Sequence, residues 1–246
     1  MLNFNHKNSN AMKRQSYYKL FLLLTIIGLS GQHLLAQKGE WQLGADIYSR
    51  YIWRGMDFGN SPSVQPSLSY SFSGLTVGAW GSYATNFDYQ EADLFVSYDI
   101  KEVITLMVTD YFFPLGAKGN NGYFQYSEDK TGHVFEGSLI FNGLEKLPLS
   151  LSLNYNFYGA DADNSVYTEL GYAGKIKDVD YNIFLGATTG KGIYLPDGSD
   201  GFSVVNLGLG LAKELRMTEA FVLPVKASVI VNPQAQNLFF IVGISL

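Results

Sequence analysis

The chain of 246 residues carries 17 basic and 22 acidic residues, a formal net charge of −5, and contains no cysteine. The acidic balance argues against a nucleic-acid partner, and the lack of cysteine excludes disulfides and thiolate metal sites. Tyr and Phe occur 17 times each, whereas charged residues make up only 16% of the chain. This composition is unlike that of an ordinary charged soluble domain.

The first segment of the chain has the pattern of a signal peptide. Lys13 and Arg14 precede the short apolar run Leu20–Leu29, and Ala36 lies at a small-residue cleavage motif. Such a segment is removed after export, and the alternative is a retained anchor. The predicted organisation is a signal peptide over 1–36, of which 1–11 precede an alternative start, and a mature domain over 37–246.

The mature domain shows repeated alternation of apolar and polar residues, which is typical of β-strands with two different faces. The clearest case is 147–158, where Leu149, Leu151 and Leu153 alternate with serine and asparagine. No later run is long enough for a membrane helix, which needs about 20 apolar residues. The predicted strands are 40–51, 63–73, 75–85, 91–100, 103–113, 133–142, 147–158, 165–175, 179–188, 202–215, 220–232 and 237–246.

The connections between these strands alternate in length. Short turns such as 73–74 and 101–102 follow the even-numbered strands, and longer segments such as 52–62 and 114–132 follow most odd-numbered ones. Outer-membrane barrels have short periplasmic turns and long external loops. The sequence therefore predicts an all-β, transmembrane, antiparallel up-and-down barrel of about twelve strands, located in the outer membrane, with lipid and the barrel-insertion machinery as partners. A soluble β-sandwich is the alternative.

Strand phase predicts which side chains face the lumen. Trp41 and Leu43 set the lipid face of the first strand, so Tyr51 and Trp53 are also expected to face lipid. Arg50 and Arg54 are then expected inside, at the outer mouth, where their positive charges bias permeation or simply clamp carboxylates. The predicted pore-lining residues are Asp46, Arg50, Arg54, Asp93, Asp99, Glu136, Glu169 and Lys226.

Catalytic and metal-binding patterns are weak. His133 is the only histidine of the mature chain, and without a nucleophile motif we expect a surface histidine rather than a catalytic base. Asp110 falls on the apolar face of its strand, where a bulge or a position above the lipid must accommodate it. We expect no catalytic residue, metal or cofactor.

The end of the first strand resembles a known family. Ser49, Tyr51, Trp53, Arg54 and Gly55 match the Ser-x-Tyr-x-aromatic-Arg-Gly signature of the TorF-type porins. The resemblance implies an outer-membrane β-barrel with a signal peptide and assigns no solute. The expected function is a channel for small polar solutes, with a non-conducting structural or adhesion barrel as the alternative and a lipid-modifying enzyme as the third hypothesis.

Overall fold

The computed structural model describes residues 39–116, 119–120, 122–196 and 199–246. The predicted signal peptide lies outside the described residues. No helix in the described part is long and apolar enough to cross a membrane. The strands in chain order are β1 (Glu40–Tyr48), β2 (Tyr51–Trp53), β3 (Met56–Phe58), β4 (Ser63–Phe72), β5 (Leu75–Ala84), β6 (Gln90–Ile100), β7 (Ile104–Phe112), β8 (Leu115–Gly116), β9 (Gly119–Asn120), β10 (His133–Phe141), β11 (Leu149–Gly159), β12 (Val166–Ile176), β13 (Val179–Thr189), β14 (Ser203–Arg216), β15 (Val222–Asn232) and β16 (Asn237–Ser245).

Twelve of these strands form one closed barrel in the order β1-β16-β15-β14-β13-β12-β11-β10-β7-β6-β5-β4. Every pair of neighbours in the barrel is antiparallel. The predicted all-β, twelve-stranded antiparallel barrel is therefore confirmed. Eleven predicted strands agree with the structure to within about two residues at each end, the usual uncertainty of boundaries read from sequence.

The barrel closes where β1 meets β16. Asp46 lies opposite Ser245, and the backbone groups of Ala45 and Leu246 exchange hydrogen bonds of 3.2 and 2.9 Å. Just beyond β1, the Ser49 amide donates to the Val242 carbonyl over 2.8 Å, and the Ser49 hydroxyl accepts from the Val242 amide over 3.1 Å. The first residue of the sequence signature thus extends the seam of the barrel.

The two faces of the wall differ in chemistry, as the alternation predicts. Leu151 and Leu153 are exposed on the outside, whereas Asn154 and Asn156 of the same strand are buried inside. The same polarity recurs around the barrel, where the exposed large apolar side chains include Leu43, Leu68, Val77, Leu94, Leu106, Leu139, Leu170, Ile183, Leu209, Val229 and Phe240. The outside is an apolar surface, and polar groups line the inside.

The expected facing of Tyr51 and Trp53 is wrong, because the wall strand β1 ends at Tyr48 rather than at residue 51. Residues 51–58 instead form a separate hairpin of β2 and β3, in which Tyr51 pairs with Phe58. Tyr51 is buried, and its ring lies 5.4 Å from that of Trp80, an inward side chain of β5. The hairpin therefore folds into the barrel instead of continuing the wall.

The expectation of a surface position for His133 is also wrong, since its exposed fraction is 0%. Its Nδ1 lies 2.7 Å from Asp110 Oδ1, and its Nε2 lies 2.6 Å from the carbonyl oxygen of Tyr123. The ring of Tyr126 stacks on the imidazole at 4.5 Å. Both ring nitrogens of His133 therefore have a hydrogen-bond partner. Tyr123 and Tyr126, in the connection between β7 and β10, thus pack around His133 beside Asp110. The register of β10 against β11 shifts between Phe135, the residue opposite Asp110, and Glu136.

Several inward rings lie directly over glycines of the neighbouring strand. A Cβ placed on Gly208 would lie 2.2 Å from Cζ of Phe184, the residue opposite it on β13. The ring therefore uses the space that a side chain would need, as happens where an aromatic residue covers a strand glycine.

We predict that Gly208→Ala destabilises the folded barrel by about 1–3 kcal/mol, because the added methyl displaces the Phe184 ring. The measurement is urea unfolding of the refolded protein in detergent micelles. Gly137→Ala is the matched control, since its Cβ would lie 3.8 Å from the nearest ring atom, an ordinary contact. An equal loss of stability in both variants would contradict this account.

Candidate functional site

The tip of the β2–β3 hairpin is a tight turn at Arg54 and Gly55. Their φ angles are 50° and 78°, as in the primed turns that join two-residue hairpins. A Cβ on Gly55 would lie 2.0 Å from the Val205 carbonyl oxygen, so only glycine fits. Asn232 Nδ2 donates to the Gly55 carbonyl over 3.2 Å. The hairpin leaves the wall after β1 and reaches β14 and β15 with its tip.

Arg54 is the centre of the contacts that hold the hairpin. Its guanidinium donates to both carboxylate oxygens of Glu136 on β10, over 2.5 and 3.0 Å, and also to the Tyr194 hydroxyl. Tyr111 donates to the same carboxylate over 3.0 Å. The exposed fraction of the Glu136 side chain is 2% and that of Arg54 is 10%. A two-pronged ion pair of this kind is strong and directional.

Aromatic rings enclose the guanidinium. Its Cζ lies 4.3 Å from the ring centroid of Trp53, 4.5 Å from that of Tyr167 and 5.6 Å from that of Tyr194. Burial raises the pKa of Tyr194 to about 12, although the neighbouring Arg54 acts in the opposite direction. Tyr194 is therefore neutral at physiological pH and able to accept from Arg54. The cation is held by one carboxylate and several ring faces.

The strained backbone of Arg54 indicates that tertiary contacts hold this residue in place. A positive φ at a residue other than glycine costs on the order of 1 kcal/mol and persists only where surrounding contacts enforce it. The ion pair with Glu136 supplies such a contact across 82 residues of sequence. The contact with a distant strand therefore holds Arg54 in place and enforces the turn conformation at the tip of the hairpin.

The predicted inward side chains lie inside the barrel, but they do not form one cluster. Arg50 pairs with Asp57 of the same hairpin, and Arg54 occupies a buried ion pair rather than an exposed position at the mouth. Arg54 therefore clamps a carboxylate, the alternative that the sequence left open, and its partner Glu136 lies three residues from the start of β10. That these residues line a conducting pore stays a prediction.

The other predicted residues make separate contacts inside the barrel. Lys226 Nζ lies 3.2 Å from Asp46 Oδ2, and both side chains are partly exposed. Glu169 accepts from Asn206 Nδ2 over 3.0 Å and from the Tyr167 hydroxyl. The remaining two lie on β6, where Asp99 accepts from Thr105 and Asp93 is buried.

Sequence reasoning missed Tyr111, Tyr167 and Tyr194 as partners of the Arg54–Glu136 ion pair. A signal existed for the first two, because each occupies the inward phase of its strand between outward neighbours. Tyr194 lies in the connection between β13 and β14, where no periodicity applies. Among the described residues, no group of three or more His, Cys, Asp or Glu side chains is arranged to hold a metal ion.

The fold and site define a closed antiparallel barrel with an apolar outside, whose polar interior is crossed by its own first connection. Residues 39–221 match the family model described as "Bacterial protein of unknown function (Gcw_chp)", and the chain belongs to this family. No curated protein matches the chain.

Among solved structures, the chain is similar to one titled "KdgM porin". The TM-score is 0.47 at 12% sequence identity, and the alignment covers 82% of this chain and 96% of that chain.

We predict that Arg54→Met destabilises the protein by about 3–5 kcal/mol in urea unfolding, because it leaves the buried Glu136 carboxylate unpaired. The double variant Arg54→Met/Glu136→Met is expected to recover most of this loss. Lys175→Met is the control, since it breaks an exposed ion pair with Asp180 that contributes about 0–1 kcal/mol. A loss of less than about 1 kcal/mol in the free energy of unfolding of Arg54→Met would contradict a stabilising role for the Arg54–Glu136 ion pair.

Proposed function

We propose that the protein is an outer-membrane barrel through which small polar solutes diffuse, with the β2–β3 hairpin as its constriction. The observation that carries the proposal is the polarity of the closed wall, which is apolar on its exposed outside and polar within. A soluble barrel buries apolar side chains and exposes polar ones, whereas a barrel in lipid does the reverse.

Strand length supports a membrane location. Most wall strands have 9 to 11 residues, the length that a tilted strand needs to cross a bilayer. Closure of the sheet satisfies the backbone hydrogen bonds of the wall, as hydrocarbon surroundings require. Together with the predicted signal peptide, these features favour the outer membrane. The narrower resemblance to TorF-type porins stays a prediction.

The lumen chemistry supports small polar solutes of either charge. It presents acids and bases together, as in the Asp46–Lys226 pair, and serines on the inward faces of β4 and β11. The hairpin and the aromatic rings around Arg54 narrow it. Side-chain charge and pore width are the two properties that set selectivity in such channels.

A second candidate, a non-conducting structural or adhesion barrel, is favoured by the burial of the constriction. Tyr167, Val205 and Glu136 are all almost fully buried where the hairpin meets the wall. No comparable observation favours the lipid-modifying enzyme. Both ring nitrogens of His133 are occupied, by Asp110 and by the Tyr123 carbonyl, which leaves neither free to act as a base.

The membrane assignment predicts different costs for arginine on the two faces of β11. Leu151→Arg at the exposed apolar face should cost about 2–4 kcal/mol in folding into lipid vesicles, and Ser152→Arg in the lumen should cost less. The measurement is urea-dependent folding in large vesicles, followed by tryptophan fluorescence. Equal costs for both variants, or fractionation of the native protein as a soluble species, would defeat the assignment.

The constriction predicts a matched pair of tryptophan variants. Trp53→Ala removes an inward ring of the hairpin, and Trp41→Ala removes an exposed outward ring. In planar bilayers, Trp53→Ala should raise single-channel conductance, Trp41→Ala should leave it unchanged, and deletion of 51–58 should raise it further. The deletion is geometrically reasonable because Tyr51 and Phe58 lie opposite each other in the hairpin.

The outcomes of this experiment separate the two candidates. A conducting wild-type protein supports the channel. A silent wild-type protein whose 51–58 deletion conducts supports the closed barrel instead. If the folded deletion variant is also silent, the channel proposal fails.

A further inference from the structure

Two buried carboxylates lie side by side on the inner wall, apart from the Arg54–Glu136 ion pair. Glu91 and Asp93 are 3% and 5% exposed. They are two residues apart on β6, so they point to the same face, about 7 Å from each other along the strand. Tyr51 of the hairpin covers this region, with its ring 5.4 Å from that of Trp80 and 6.0 Å from that of Tyr89. The pair is enclosed between the wall and the hairpin.

No basic side chain of the described residues forms an ion pair with either carboxylate. The two arginines of the hairpin are engaged elsewhere, Arg50 with Asp57 and Arg54 with Glu136. Glu91 Oε2 accepts from the Tyr89 hydroxyl over 2.8 Å, whereas Asp93 Oδ1 is buried and has no hydrogen-bond partner. Buried carboxylates are normally paired with a cation, bound to a metal or neutralised by a proton.

Two hydroxyl oxygens on the neighbouring strands are also without partners. Ser82 Oγ and Thr109 Oγ1 are buried and unpaired, and these residues are 0% and 3% exposed. Ser82 lies directly opposite Glu91 in the β5–β6 register. Thr109 lies on β7 two residues from Tyr111, the residue opposite Asp93. Asp93 Oδ1 and Ser82 Oγ are therefore two unsatisfied oxygens on adjacent strands beside Glu91, whereas Thr109 lies opposite Phe95, farther along the sheet.

We propose that the pocket formed by Ser82, Glu91 and Asp93 binds a calcium ion, with water completing its coordination. The candidate ligands are all oxygen atoms, which excludes the nitrogen and sulfur ligands that zinc prefers. Calcium accepts mixed carboxylate, neutral oxygen and water ligands in irregular geometry, whereas magnesium demands a near-ideal octahedron. The proposal departs from the sequence-based expectation of no metal site, and it does not depend on whether the barrel conducts.

The small number of carboxylates limits the affinity. Sites with few charged ligands fall near the weak end of the calcium range, so a dissociation constant of about 0.1–1 mM is expected. A bound cation would join β5 and β6 beneath Tyr51 and would hold that edge of the hairpin against the wall. Calcium should therefore raise the melting temperature of the folded protein.

The test uses the full-length folded protein in detergent after treatment with a chelator. Isothermal titration with calcium chloride should give one saturable site, with weaker binding of magnesium. Terbium provides an independent probe of the wild-type protein, because Trp80 lies opposite Asp93 and can sensitise its luminescence. Calcium should displace the terbium signal over the same concentration range.

The double variant Glu91→Gln/Asp93→Asn should weaken calcium binding at least tenfold and abolish the calcium-dependent rise in melting temperature. Asp99→Asn is the matched control, since Asp99 lies on the same strand but accepts from Thr105. The control should bind as wild type does. Absence of saturable binding and of sensitised terbium luminescence in the wild-type protein would overturn the proposal. Equal calcium binding by the double variant would also overturn it. If the double variant is as stable as the wild-type protein, and calcium changes the stability of neither, the two carboxylates share a proton instead.

Discussion

The structure depends on the need of every wall strand for hydrogen-bond partners on both sides. Twelve antiparallel strands meet this need only because β1 and β16 pair and leave no open edge. Once the sheet is closed, each strand has one face outside and one inside, and the period of two assigns every side chain to one of them. The apolar exterior and the polar interior follow from that closure.

Closure also creates an interior that the chain partly fills with its own first connection. The hairpin at 51–58 carries Tyr51, Trp53 and Phe58 into the lumen, and its tip contacts β14 and β15. The desolvation free energy of burying the Arg54 guanidinium is offset by its contacts with Glu136, with the Tyr194 hydroxyl and with the surrounding rings. The interior is thus organised around one ion pair rather than around an open row of charges.

The two sides of the hairpin differ in electrostatic character. Toward β10 and β12, the arginine and glutamate neutralise each other within a group of rings. Toward β5 and β6, Glu91 and Asp93 have no basic partner among the described residues. Movement of the hairpin would therefore break a neutral pair on one side and expose an acidic region on the other. Whether the lumen conducts depends on how firmly these two contacts hold the hairpin in place.

The sequence by itself determined the barrel, its strand number and the facing of most side chains, because alternation is a local property that each strand carries alone. It could not determine the course of residues 49–58. The period of two continues through Tyr51 and Trp53, so a strand that stays in the wall and one that folds inward have the same pattern. Only tertiary structure decided between them, through the contact of Arg54 with Glu136 and the close approach of Gly55 to Val205. Likewise, Asp110 and His133 are 23 residues apart, and their pairing depends on a loop that folds back over the wall. Contacts between distant parts of the chain have no periodicity, and for that reason they were not readable in advance.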